Sequence, residues 1–245
     1  MPATPAWPPR SLPRLFVRQP LGEGATVALD APPANYLGNV LRLQEGAELL
    51  LFDGLSGEWL ARIAQAGRKR MTLAVERRTR EAEAVPDVWL AFAPVKRAQT
   101  DWLVEKATEL GVARLIPVMT RRTVAERVRR DRLEAIAIEA AEQCGRTRLP
   151  EIVQPVSLDQ LVDGDPGRTL YFADEAGGEA AAKAFKPGPA LILTGPEGGF
   201  TEEERAAIRA ASRTVAISLG PRILRAETAA LAALAAYMAL AGDWR

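Results

Sequence analysis

The strongest constraint on the fold lies near the C-terminus, where two strand-like runs each empty into a glycine-proline turn. The first is Ala190-Leu191-Ile192-Leu193-Thr194, followed by Gly195-Pro196-Glu197-Gly198-Gly199-Phe200. The second is Thr214-Val215-Ala216-Ile217-Ser218-Leu219, followed by Gly220-Pro221-Arg222-Ile223-Leu224-Arg225. A short apolar run bounded by turn residues reads as a buried strand. Glycine directly after a strand lets the main chain approach a ligand closely. Ligands of open α/β sheets sit beyond the carboxyl ends of the strands. Either turn alone reads as an ordinary connection rich in glycine; the pair together points to a ligand site built from backbone.

The ligand chemistry can be narrowed. Thr201 and Glu204 form a capping box, which predicts a helix starting at Thr201. Its first turn is Glu202-Glu203-Glu204, so a phosphate placed there would meet three carboxylates. The chain has no G-x-x-x-x-G-K-[ST] segment, which excludes a P-loop. A neutral or cationic ligand suits the turn better than a nucleoside triphosphate.

Among the 245 residues there is no histidine, which excludes a histidine base, a histidine triad and the common histidine metal sites. The single cysteine, Cys144, excludes an internal disulfide and is expected to be a small core residue. With no signal-peptide pattern, this fits a cytoplasmic protein. The longest apolar stretch, Ala229 to Ala241, is too short to span a bilayer. It reads as a closely packed helix with Leu231, Leu234 and Met238 on one face. The net charge of +1 is unevenly placed: residues 1–80 carry 11 basic and 7 acidic side chains, residues 151–245 carry 9 and 13. A basic N-terminal part fits RNA contact and an acidic C-terminal part a cationic cofactor, although simple solubility would give the same charges.

Residues 1–10 are proline-rich and are expected to form a loose arm. Short strands are expected at 13–18, 25–29, 47–52, 57–63 and 71–76, with one short helix over Asn35 to Leu43, which together suggest a small β-barrel. Arg77 to Glu83 is charged and carries no apolar period, so the domain boundary is expected there: an N-terminal domain over 1–78 and a C-terminal domain over 79–245. From Val88 onward strands at 88–93, 113–118, 169–173, 189–194 and 214–219 alternate with helices at 100–110 and 131–144. This alternation argues an α/β fold with a parallel sheet covered by helices.

The two glycine turns, with Leu219-Gly220-Pro221-Arg222 running into Ala226-Glu227-Thr228-Ala229, resemble the signature of the SPOUT methyltransferases. Within them the chain is similar to the RsmE family, which methylates N3 of a uridine in 16S ribosomal RNA. Asn39-Val40-Leu41-Arg42-Leu43 and Leu51-Phe52-Asp53-Gly54 resemble that family's N-terminal domain. Lys106-Ala107-Thr108-Glu109-Leu110-Gly111-Val112 and Glu139-Ala140-Ala141-Glu142-Gln143-Cys144-Gly145-Arg146 resemble its middle. The resemblance covers everything from residue 13 onward and is specific, because four motifs occur in order. Two positions depart from the family pattern: Asn35-Tyr36 stands where a histidine is frequent, and Gln99 where a second lysine is frequent.

The resemblance implies a PUA-like N-terminal barrel, a SPOUT-type C-terminal sheet with a deep trefoil knot, and a homodimer. It implies S-adenosyl-L-methionine as cofactor, bound by Leu193, Thr194, Gly195, Pro196, Glu197, Gly198, Gly199, Ser218, Leu219, Gly220, Ile223, Leu224 and Thr228. The acceptor N3 must lose a proton, and Glu227, Glu142 and Glu109 are the carboxylate candidates to take it, with water as a further route. Arg225 is expected to stabilise the developing uracil anion. Arg225 and Glu227 are the catalytic candidates, a structural ion pair between them being the alternative. RNA contact is expected from Arg14, Arg18, Arg42, Lys96, Lys106, Arg122 and Arg146, with the basic runs Arg68-Lys69-Arg70 and Arg127 to Arg132 as solvated edges that touch phosphate at most. The expected RNA is 16S ribosomal RNA within an assembled 30S subunit; neither a metal nor a membrane is expected.

Overall fold

The computed structural model describes residues 12–67, 70–124 and 128–244. The proline-rich arm expected at 1–10, and Arg68, Lys69 and Arg127 of the basic runs, lie outside the described residues. The chain divides into two compact units. The first comprises the described residues up to Glu83 together with Gly145–Arg148; the second comprises Ala84–Cys144 and the described residues from Leu149 onward.

The first unit contains β1 (Arg14–Phe16), β2 (Thr26–Leu29), α1 (Ala31–Asn35), a π-helical turn (Tyr36–Val40), β3 (Glu48–Phe52), β4 (Glu58–Gln65) and β5 (Met71–Arg80). Its sheet runs β1-β3-β4-β5-β2, antiparallel except for the β1–β3 pair. Val27, Leu49, Leu51, Ala61, Ile63 and Leu73 point to one apolar core, which Ala34 and Leu37 help to close. Helix α1 begins ahead of the expected Asn35 because Pro32 and Pro33 occupy its first turn, where a missing N–H costs nothing.

Strand β5 also runs past the expected domain boundary. Its last residues pair with β4, Leu60 opposite Arg77, Trp59 opposite Arg78 and Glu58 opposite Arg80. Their side chains are largely solvent-facing, so the ladder continues where no apolar period marks it. The segment Gly145–Arg148 belongs to this unit, to which several hydrogen bonds tie it. Arg80 donates to the carbonyl of Gly145 at 2.7 Å, and Arg14 to that of Arg146 at 2.8 Å. The Glu83 amide donates to Thr147 at 2.9 Å, and the Arg148 amide to the Glu83 carboxylate at 3.0 Å.

The second unit follows the expected alternation: β6 (Val88–Phe92), α2 (Arg97–Glu109), β7 (Arg114–Met119), α3 (Arg130–Cys144), β8 (Glu151–Ile152), β9 (Val156–Ser157), α4 (Leu158–Val162), β10 (Thr169–Ala173), β11 (Glu179–Ala180), α5 (Ala181–Ala184), β12 (Ala190–Thr194), α6 (Glu202–Ala210), β13 (Thr214–Ser218) and α7 (Ala226–Leu240). The main sheet is parallel and runs β11-β13-β10-β12-β6-β7-β8. Elements of two to five residues, such as β8, β9 and α4, are too short for periodicity to announce.

Both faces of this sheet are covered, which is why its strands read as continuous apolar runs. Ala190 and Ile192 of β12 join Leu103, Ala137, Leu234 and Tyr237 in the core on one face. Leu191 and Leu193 join Leu170, Phe172, Phe200 and Ile208 on the other. Helix α7 packs through Ala230, Ala233, Leu234, Tyr237 and Met238; the expected Leu231 is only half-buried. Cys144 is half-buried as well, a correction to the expected core position: it closes α3 beside Gly145, where the chain leaves the helix.

Candidate functional site: three adjacent strand ends

The strands β13, β10 and β12 are neighbours, and the register places Phe172 opposite Leu193 and Ala173 opposite Ile217. Their carboxyl ends are therefore level. Beyond them lies a cleft of about 350 Å³, within the ~300–1,000 Å³ typical of small-molecule sites. Thr194, Gly195, Pro196, Glu197, Gly199, Ser218, Leu219, Gly220, Ile223, Leu224 and Arg225 line it, so the two glycine turns do meet.

The turn after β12 is fixed by packing. The ring of Phe200 lies edge-on to Phe172 at 5.3 Å, and a Cβ on Gly195 would stand 2.7 Å from that ring. The Gly199 amide donates to the Pro196 carbonyl at 2.9 Å, and Gly199 adopts φ 67°. Helix α6 starts as expected: the Thr201 hydroxyl accepts from the Glu204 amide, and the Glu204 carboxylate accepts from the Thr201 amide. The other oxygen of that carboxylate accepts from the Arg121 amide at 2.8 Å. The loop after β7 is thus docked on the turn.

Four expected residues do not line the cleft. Leu193 is fully buried in the core beneath it. Gly198 is backed by Arg122, 3.5 Å from the place of a Cβ. Glu227 and Thr228 lie in the first turn of α7, but the helix turns Ala226 and Ala229 to the cleft instead. No ion pair joins Arg225 to Glu227 among the described residues; Arg225 is exposed at the N-cap of α7 and caps nothing with its side chain. Of the other carboxylates considered, Glu109 is held by Lys106 at 2.8 Å.

A third contributor was missed. Asp174, Glu175 and Gly177 follow β10 and complete the lining with Arg205. The Asp174 side chain is 1% exposed and accepts from Arg205 and Arg209. Arg205 also reaches Glu175 at 3.0 Å. Burial would lower the Arg205 pKa, but Glu175, Asp174 and Glu202 outweigh it and raise it above its ordinary value. The available signal was Asp174-Glu175-Ala176-Gly177-Gly178, a glycine turn after an apolar run like the other two but without proline.

A family model described as an RNA methyltransferase domain matches residues 81–238, and one described as an RNA methyltransferase PUA domain matches residues 29–76. Ribosomal RNA small subunit methyltransferase E of Rickettsia conorii is 30% identical over 227 residues, covering 91% of this chain and 93% of that protein. The chain belongs to this RsmE family. The RsmE protein of Bacillus subtilis is likewise 30% identical, over 90% of this chain and 93% of its own. An RsmE crystal structure from Neisseria gonorrhoeae bound to S-adenosyl methionine superposes with a TM-score of 0.87 at 29% identity, covering 96% of this chain and all (100%) of that one. A methyltransferase from Legionella pneumophila, solved with the cofactor SAM, gives 0.86 at 30% identity, covering 96% and 99%.

In this RsmE-family chain the basic residues expected on RNA fall into distinct groups. Arg14 and Arg146 are corrections: both side chains are 6% exposed. Arg14 is bonded to Glu58 at 2.9 Å, and Arg146 to Glu83 at 3.3 Å, which withdraws them from solvent phosphate. Lys106 is held by Glu105 and Glu109, whose hydrogen bonds push its pKa up to about 12. Arg122 is exposed, and its guanidinium donates to the Gly198 carbonyl at 2.7 Å. Arg18, Arg42 and Lys96 are exposed. No helix among the described residues is long and apolar enough to cross a membrane, and no His, Cys, Asp and Glu cluster there could hold a metal.

Proposed function

We propose that this chain transfers a methyl group from S-adenosylmethionine to N3 of a uridine in the 16S RNA of the small ribosomal subunit. The observation that carries this reading is the cleft at three level strand ends, found in a chain of the RsmE family. S-adenosylmethionine supplies an electrophilic methyl carbon on a positively charged sulfur. The residues present suit such a molecule. The lining joins the backbone of the glycine turns to Leu219 and Leu224 as apolar cover, and its three arginines, Arg205, Arg222 and Arg225, are matched in number by Asp174, Glu175 and Glu197. Its exposed carboxylates, Glu175 and Glu197, tolerate a cation and would oppose a phosphate.

Main-chain N–H and C=O groups of Thr194 to Glu197, Gly199 and Ser218 to Leu224 would hold the edge of the adenine, and the side chains between them would exclude water from its faces. N3 would lose its proton to water, and its lone pair would then form the bond to the methyl carbon as the carbon–sulfur bond breaks and its electron pair leaves on the sulfur as a neutral thioether. Arg225, exposed at the cleft wall, would stabilise the negative charge that loss of the proton places on the uracil before the methyl arrives. Glu227 stands off this cleft, and the proposal assigns it no proton. Much of the rate comes from holding N3 in line with the methyl carbon. We further propose that the protein works as a knotted homodimer in the cytoplasm, on an assembled subunit, with Arg18 and Arg42 contacting RNA. Incubation with labelled S-adenosylmethionine and small-subunit RNA lacking the modification tests the reading. Label in the RNA is expected; a folded protein that neither binds the cofactor nor transfers label overturns it.

A further inference from the structure

A second hollow, of about 420 Å³, shares no residue with the cofactor cleft. It lies where β6 runs into α2, against the start of α3. Since β6 is the neighbour of β12 in the parallel sheet, the hollow opens beyond the same carboxyl edge. Val95, Val124, Val128 and Leu133 give it an apolar lining, and Val124 is 78% exposed. Lys96 and Arg97 stand at its rim, both exposed, at the N-terminus of α2.

Among the described residues, basic side chains outnumber acidic ones there. Arg132 is held by Asp101 at 2.6 Å, and Arg129 by Asp131 at 2.6 Å. The side chains of Lys96 and Arg97 have no ion pair or hydrogen bond among the described residues, and the first turn of α2 carries no acidic residue. Two cations with no ion pair among the described residues therefore flank an apolar hollow, at a helix end that itself favours negative charge. A ligand that matches pairs an apolar body with an anionic group, as a nucleotide released from its stack does. Bases splayed out of a strand are held by apolar and stacking contacts, and their phosphates by lysine and arginine.

We propose that this hollow seats a nucleotide of the RNA substrate flanking the one that is methylated, its base against the valines and its phosphate on Lys96 and Arg97. This assignment rests on the reading of the chain as an RNA methyltransferase. It also links the two sites. The loop that supplies Val124 supplies Arg122, whose hydrogen bond to Gly198 braces the cofactor turn. A nucleotide held against Val124 would therefore touch the loop that braces the turn where the methyl donor would bind.

The test uses the full chain, a fluorescent fragment of small-subunit RNA, and two variants at exposed positions: Lys96→Gln with Arg97→Gln, and Val124→Asn. The charge variant is expected to bind the fragment several-fold more weakly, with the log–log salt slope reduced by about 0.7, the contribution of one phosphate neutralised on a single strand. Val124→Asn is expected to weaken binding with the slope unchanged. Both should titrate with S-adenosylmethionine as the unaltered chain does. Variants that bind RNA like the unaltered chain overturn the hollow alone. An unaltered chain that binds the cofactor but no RNA overturns the methyltransferase reading, and the hollow with it.

Discussion

Arg122 donates a 2.7 Å hydrogen bond from Nη1 to the carbonyl oxygen of Gly198, tying the loop after β7 to the glycine turn after β12. Gly198 is therefore occupied on its outer side, and the turn is braced without any side chain entering the cleft. The bond is exposed, so its worth is that of an ordinary hydrogen bond, about 1 kcal/mol. Arg122→Ala is expected to raise the Kd for S-adenosylmethionine about fivefold at nearly unchanged thermal stability. Calorimetric titration checks this, and an unchanged affinity would mean the brace is idle.

The glycines of the two turns should respond in different ways. A Cβ at Gly195 would stand 2.7 Å from the Phe200 ring, which is itself packed on Phe172. Gly195→Ala should cost about 1–3 kcal/mol in denaturant unfolding through overpacking. Gly220 has open space around it but sits at φ 111°. Gly220→Ala should cost about 1–3 kcal/mol through backbone strain and also distort the cleft wall. At Gly198 a Cβ would find ordinary contact at 3.5 Å, so Gly198→Ala should leave stability nearly unchanged. Equal unfolding midpoints for all three would contradict this assignment.

The cofactor turns were legible because glycine and proline punctuate apolar runs, and a capping box marks where α6 begins. The turn at Asp174 was not, because its role depends on β10 lying between β12 and β13, a strand order that local sequence does not carry. Glu227 and Thr228 were misplaced for a related reason: which face of α7 meets the cleft is set by the packing of Ala230, Leu234 and Met238. Arg14 and Arg146 look like any surface arginine until Glu58 and Glu83 are brought to them from 44 and 63 residues away. The end of β5 was hidden because its pairing is made by backbone beneath charged side chains.

Acid should weaken the first unit through Glu58. Burial pushes the Glu58 carboxyl up, but hydrogen bonds and charge from Arg80 and Arg14 outweigh it and hold the pKa below the usual glutamate range. A depressed folded pKa stabilises the fold above the unfolded value of about 4.3, and that stability is lost as pH falls through the lower folded value. Denaturant midpoints for this unit should therefore drop below about pH 4, and Glu58→Gln should flatten the drop. A variant with the same acid limb as the parent would assign the loss to other groups.

Buried and exposed arginines of the same unit should separate stability from RNA affinity. Arg14→Ala leaves Glu58 to Arg80 and the Thr79 hydroxyl in a buried setting, a loss of about 3 kcal/mol. Arg18→Ala, at an exposed position, should leave unfolding unchanged while weakening RNA binding and lowering its salt dependence. Filter binding and denaturation on both variants check the pair. An Arg18→Ala protein that binds RNA as the parent does would remove Arg18 from the RNA surface.

The central claim is methyl transfer to N3 of a uridine in small-subunit RNA. Its most direct test is digestion of hypomethylated 30S subunits to nucleosides after reaction with labelled S-adenosylmethionine, followed by mass spectrometry of the labelled product. The account predicts 3-methyluridine as the labelled nucleoside. Label on a ribose or on another base, or no label from a protein that binds the cofactor, would contradict it.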